Sequence, residues 1–137
     1  MTDEPPARRV ALALLVAFYG VAGVAHLVVT DAMVRIVPGW VPWPRAVVIA
    51  TGLCELAGAL ALLLPGWRVA AGWALALYAL CVWPANVQHA IIDLSHGTGL
   101  PLAYHAPRLL LQPAIIAWAL YASGAWAARR RRPSRRA

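Results

Sequence analysis

The chain has 137 residues, 62% of them hydrophobic, and a mean hydropathy of +0.68. A soluble domain of this size does not carry so much apolar residue, which places the chain in the membrane class. Its formal net charge of +7 comes from arginine alone, and its aromatic residues lie mostly in apolar runs, with none in the arginine-rich tail, which argues against nucleic acid as a partner.

Four runs are long enough to cross a bilayer, which takes about 20 mostly apolar residues. They cover 10–29, 46–64, 69–92 and 107–128, between a short segment at 1–9 and an arginine-rich tail at 129–137. The expected fold class is therefore all-α, an integral membrane four-helix bundle. Four spans bring both termini to one side, together with Arg8, Arg9, Arg68 and the six arginines of the tail, and leave Arg35, Arg45 and Arg108 on the other. Positive charge collects on the cytoplasmic side, so both termini are expected there, with the tail against the anionic headgroups of the lipid bilayer. Arg8-Arg9 followed by an apolar stretch, with Gly23-Val24-Ala25 beyond, has the outline of a signal peptide. The stretch runs on to Val29, too far for such a segment, and an uncleaved first span is expected.

In the first run Tyr19, Ala22, Gly23 and His26 share one helical face, and Gly20 and Gly23 offer a small surface to a neighbouring helix. His26 stands about 24 Å above Val10 at the helical rise, in the outer third of the hydrocarbon. By itself it reads as a packing histidine or as a proton carrier or ligand. The loop that follows, with Pro38, Pro42 and Pro44 around Trp40 and Trp43, suits a rigid cap at the headgroup level, either an aromatic anchor or a lid.

The second run carries Thr51 and, one turn on, Glu55, about 15 Å below Arg45. A carboxylate at that depth must be protonated, paired or open to water, so Glu55 is either a functional group or a clasp between helices. The third run contains Trp83-Pro84-Ala85-Asn86-Val87-Gln88-His89. Pro84 cannot donate to the Leu80 carbonyl, which predicts a kink there. Asn86, His89 and Asp93 climb one face, with Asp93 placed to orient the His89 imidazole, and Gln88 falls elsewhere.

The fourth run opens with Pro107 in its first turn and carries Arg108 and Gln112 four apart, then Pro113. Arg108 is expected either to reach headgroups or to pair with Glu55 or Asp93. Cys54 and Cys81 lie deep in apolar runs without a Cys-x-x-Cys spacing and read as small buried hydrophobes. His26 and His89 are candidate axial haem ligands, but no His-x-x-x-His spacing supports this; haem is disfavoured and no metal ligand is assigned.

Taken in order, Gly23-Val24-Ala25-His26, Ile36-Val37-Pro38 with Pro42-Trp43-Pro44, Thr51-Gly52-Leu53-Cys54-Glu55-Leu56, Trp83-Pro84-Ala85-Asn86 and Arg108-Leu109-Leu110-Leu111-Gln112-Pro113 resemble the DoxX-like family of small bacterial membrane proteins. The resemblance implies a four-helix bundle in the bacterial cytoplasmic (inner) membrane. It implies that His26, Glu55, Asn86, Arg108 and Gln112 occupy the family's recurrent polar positions. Relatives of that kind include subunits of a thiosulfate:quinone oxidoreductase and partners in thiol and oxidative-stress complexes. The cysteine pair of the redox-active relatives is not found in this chain.

The expected ligand-binding residues are His26, Thr51, Glu55, Asn86, His89, Arg108 and Gln112. One reading is a non-catalytic accessory or assembly partner, or a binder of a small lipid-like molecule in an outer-leaflet polar pocket. The other is a membrane subunit of an oxidoreductase complex that binds a quinone headgroup there, with Asn86 or Gln112 as donors and His26 or Glu55 as proton carriers. No electron-donor site stands in this chain, so that reading needs a soluble or membrane redox partner. The residues alone do not decide whether any reaction is catalysed.

Overall fold

The computed structural model describes residues 4–97 and 99–130. Among them are six helices and no strand: α1 (Pro6–Val28), α2 (Thr30–Val34), α3 (Pro44–Leu63), α4 (Arg68–His96), α5 (Leu102–Ala122) and α6 (Ala125–Arg130). The all-helical class matches the expectation. Among the described residues, α1, α3 and α4 are the three helices long and apolar enough to cross a membrane. α5 is of similar length at 21 residues but carries His105, Arg108, Gln112 and two prolines. Most of the expected arginine tail, from Arg131 onward, lies outside the described residues.

Local chemistry sets where the helices start and stop. Pro6 and Pro44 open α1 and α3, where a missing N–H costs nothing and a fixed φ already suits the helix. α4 ends at Gly97, whose φ of 66° suits a residue without a side chain and whose N–H bonds the Asp93 carbonyl. α4 continues unbroken through Pro84, which takes a helical donor from the Leu80 carbonyl without ending the helix.

α5 begins more than a turn before the expected start at Pro107, because Pro101 serves as its N-cap and the His105 side chain is buried against α4. Pro107 thus sits inside the helix rather than in its first turn. The expected single run to residue 128 is also interrupted, at Ser123-Gly124, before α6 resumes.

The two ends of the molecule differ. At one end the Arg8 Nε donates to the Ala122 carbonyl at 3.3 Å. Glu4 there pairs with Arg8 at 3.0 Å and with Arg68 at 3.3 Å. The starts of α1 and α4 and the end of α5 therefore meet at this end. The half of the molecule beside it is a dry apolar core built from Leu12, Leu15, Leu62, Leu75 and Ala119 among others. Tyr19 closes that core, donating from its hydroxyl to the Leu75 carbonyl at 3.4 Å. The opposite half carries the loops after α2 and α4, and it holds the polar residues.

α1 and α3 cross at a pair of glycines. A Cβ on Gly52 would lie 2.7 Å from the His26 Cβ and 3.0 Å from the Gly23 carbonyl oxygen, so only bare backbone permits this approach. His26 and Glu55 each stand one turn beyond a glycine of this pair, and the crossing brings them together. Gly20, by contrast, has nothing within 4 Å of where a Cβ would be, so it lies outside this contact. The outward faces of the long helices are apolar, with Val21, Val28, Leu60, Leu77 and Leu110 exposed. A surface of this kind suits contact with lipid, and together with the spanning lengths it makes this a membrane protein.

Candidate ligand-binding site

Between α1, α3, α4 and α5, in the polar half, lies a cavity of about 570 Å³. That is within the range of small-molecule sites, ~300–1,000 Å³. His26 reaches it from α1, Thr51 and Glu55 from α3, Asn86 from α4, and Arg108 and Gln112 from α5. Six of the seven expected residues thus face one space, and His89 stands behind Arg108. Its apolar lining includes Phe18, Val48, Leu111 and Ile115, while Val37, Pro38 and Trp40 of the proline-rich loop roof it. Trp43 points away and is 80% exposed. An exposed ion pair between Arg45 and Asp31 ties the start of α3 to α2.

The polar residues fall into three groups. In the first, the Glu55 Oε2 lies 2.9 Å from the His26 Nδ1. The same Nδ1 is 2.9 Å from the Ala22 carbonyl of its own helix and donates there. One N–H cannot point well at both oxygens. The buried Glu55 Oε2 therefore has no hydrogen-bond partner among the described residues. Tyr78 of α4 also lines the cavity at this level, beside Glu55 and Thr51. Thr51 donates to the Val48 carbonyl at 2.7 Å, which leaves its oxygen lone pairs as acceptors.

In the second group the Asn86 amide donates to the Gln112 Oε1 at 3.2 Å, and Gln112 in turn donates to the Ala79 carbonyl. This chain straps α5 to α4 beside the Pro84 turn, and it uses up most of the Gln112 amide.

In the third, Arg108 donates to the His89 Nδ1 at 2.8 Å. That bond requires an unprotonated Nδ1, so the proton of His89 is on Nε2, which donates to the Asp93 Oδ2 at 3.1 Å. His105 reaches the same oxygen through its Nε2 at 3.0 Å, and the Leu100 N–H donates to it at 3.0 Å. Arg108 also stacks over Tyr104, 5.8 Å from the ring centre.

Several expectations change. Arg108 pairs with His89, not with Glu55 or Asp93, because the early start of α5 sets it beside that ring. Asn86, His89 and Asp93 do not act as one stripe: Asn86 turns to Gln112, and the other two join Arg108 and His105. Cys54 and Cys81 are exposed on the helix surfaces rather than buried, and Cys81 also borders the cavity. His26 and His89, weighed as ligands of one haem, belong to two separate hydrogen-bonded groups. Two residues were missed. Tyr78 lies two turns before Asn86 on the same face, a spacing that could have revealed it. His105 looked like part of a loop, and only a helix starting at Leu102 aligns it with Arg108 and Gln112.

The chain belongs to the DUF8561 family. The family model, described as a domain of unknown function, matches residues 15–123, which include every cavity residue named above. No curated protein and no solved structure matches the chain.

Proposed function

We propose that this protein is a multi-pass protein of the bacterial cytoplasmic membrane that binds a small lipid-like molecule in its cavity and acts as a non-catalytic accessory subunit. In this reading α5 is the fourth span of a four-helix bundle, its polar residues turned inward. Both termini are cytoplasmic, as the distribution of arginines favours. The cavity then opens within the outer leaflet. The DoxX-like resemblance is part of the same proposal and suggests a membrane or soluble redox protein as the partner served.

The observation that carries the reading is the unpartnered Glu55 Oε2, buried in the wall of a cavity whose other end holds the Arg108 guanidinium. A buried acceptor without a donor costs about 1–3 kcal/mol, which a hydroxyl or amine of a bound molecule removes. The apolar walls between the two polar ends suit a hydrocarbon or ring body.

The closeness of Glu55 to His26, 2.9 Å, also favours a second reading, a quinone headgroup. Arg108 and Asn86 supply donors for its carbonyls, and the carboxylate and imidazole supply groups able to exchange protons. Electrons then come from a partner.

The test is mass spectrometry of lipid extracts from gently purified protein, wild type and Glu55→Gln. A small amphipathic molecule at near one per chain, lost in folded Glu55→Gln, is the expected result, and its structure separates lipid from quinone. Wild-type protein that carries only bulk membrane lipid, in the same amounts as Glu55→Gln, refutes both readings.

A further inference from the structure

We propose that His89, Asp93 and His105 form a binding site for a divalent transition-metal ion of the first row, in competition with the Arg108–His89 hydrogen bond. The site lies beside the cavity.

His89 and Asp93 are four apart on α4, so their side chains rise on one face, and α5 brings His105 in from across the helix pair. The three ligand atoms lie within 4.8 Å of one another. Two edges of that triangle, from the Asp93 Oδ2 to the Nε2 atoms of His89 and His105, measure 3.1 and 3.0 Å. Ligand bonds of about 2.1 Å set such edges at about 3.0 Å for a right angle and about 3.4 Å for a tetrahedral one. The triad therefore already has two edges of a coordination shell, and a side-chain rotation closes the third.

The chemistry agrees. Two imidazole nitrogens and one carboxylate oxygen suit zinc or iron(II) more than calcium or magnesium, and three protein ligands leave positions for water. Asp93 is oriented by the Leu100 N–H, an outer-shell bond that does not use up the ligand role. His89 and Asp93 keep partial exposure at the end of the helix pair, so an ion has a route in.

The metal needs a lone pair on each Nε2, where both protons now sit. For His105 the proton moves to the buried Nδ1, which has no partner among the described residues, and one unpartnered group replaces another. For His89 it moves to Nδ1, which then faces the Arg108 N–H as donor against donor. Arg108 must leave. Loading the metal thus releases the guanidinium from His89 toward the cavity it borders, and links the two sites through one side chain.

The test uses untagged full-length protein in detergent, stripped with chelator and titrated with cobalt(II), read by visible absorption and by competition with a chromophoric zinc chelator. One equivalent should bind. Asp93→Asn, which keeps an acceptor for both imidazoles and so preserves the fold, should weaken binding at least tenfold. Arg108→Gln, which removes the opposing charge and offers an acceptor to the Nδ1 proton, should tighten it roughly tenfold, the scale of outer-shell effects. Absence of saturable binding, or binding that Asp93→Asn leaves unchanged in folded protein, overturns the site. Binding that Arg108→Gln weakens or leaves unchanged overturns the competition with His89.

Discussion

Replacing Glu55 by methionine should make the empty protein more stable. The gain depends on where one proton points. The Nδ1–H of His26 satisfies the Ala22 carbonyl, and the Glu55 Oε2 at 2.9 Å is left buried and without a partner. An apolar side chain of similar length removes that penalty, roughly 1–3 kcal/mol, and His26 keeps its bond to Ala22. If the carboxylate were instead one half of a well-made buried ion pair, removing it would strand the imidazolium and cost about 3–5 kcal/mol. The two accounts differ in sign, which makes the experiment decisive. Thermal unfolding of delipidated protein in detergent, followed by far-ultraviolet circular dichroism, should show Glu55→Met melting several degrees above wild type. Adding back a membrane lipid extract should raise the wild-type transition and leave that of Glu55→Met in place, because only the wild type offers the ligand an acceptor. A Glu55→Met protein that melts below delipidated wild type refutes the argument and makes Glu55 a clasp between α1 and α3.

Other outcomes follow from the same geometry. Gly52→Ala should lower the melting temperature by the equivalent of about 1–3 kcal/mol through overpacking against His26, whereas Gly20→Ala, where the space is open, should be neutral or mildly stabilising; equal effects at the two positions would remove the glycine crossing from the account. Gln112→Leu strands both the Asn86 amide and its tie to Ala79 and should destabilise by about 1–3 kcal/mol per unsatisfied group, read in the same melting assay. A lipid-soluble maleimide should label Cys54 and Cys81 of the folded protein, and ligand in the cavity should slow the reaction at Cys81 alone, since only that thiol borders it; mass spectrometry of the two peptides checks this.

Much of the architecture could be read from the chain because apolar length is a strong signal. The runs at 10–29, 46–64 and 69–92 correspond to helices that start and stop within a turn or so of those positions. Polar residues in such runs are rare enough to stand out, which is why His26, Glu55, Asn86 and Gln112 could be picked without coordinates. Rotation about the helix axis could not be read the same way. Spacing put Asn86 and His89 on one face, yet a small difference in angle sends one to Gln112 and the other to Arg108. The start of α5 was missed for a related reason. Pro107 suggested a helix beginning, and the burial of His105 against Asp93, a contact between distant segments, moved it back to Leu102.

The two halves of the molecule hold together by different means, and this explains where a ligand can act. In lipid there is little hydrophobic drive to pair helices, so close backbone approach and polar bonds do more of the work. The half around Leu15 and Leu62 uses tight packing of small and branched side chains. The other half uses polar straps: Asn86 to Gln112 to Ala79 between α4 and α5, and His89 and His105 to Asp93 at the end of the same pair. The cavity lies between α1–α3 on one side and α4–α5 on the other, where Tyr78 of α4 stands beside Glu55 and Thr51 of α3. Among the described residues the Glu55 Oε2 is a fully buried cavity acceptor without a hydrogen-bond partner, while Arg108 retains donors beyond the one given to His89. An occupant that donates to the first and accepts from the second would add a strap across the cavity. Binding should therefore tighten the contact between the two helix pairs, and slowed amide exchange along α1 and α4 facing the cavity, with no change around Leu15 and Leu62, is the pattern that distinguishes such a strap from general stabilisation by lipid.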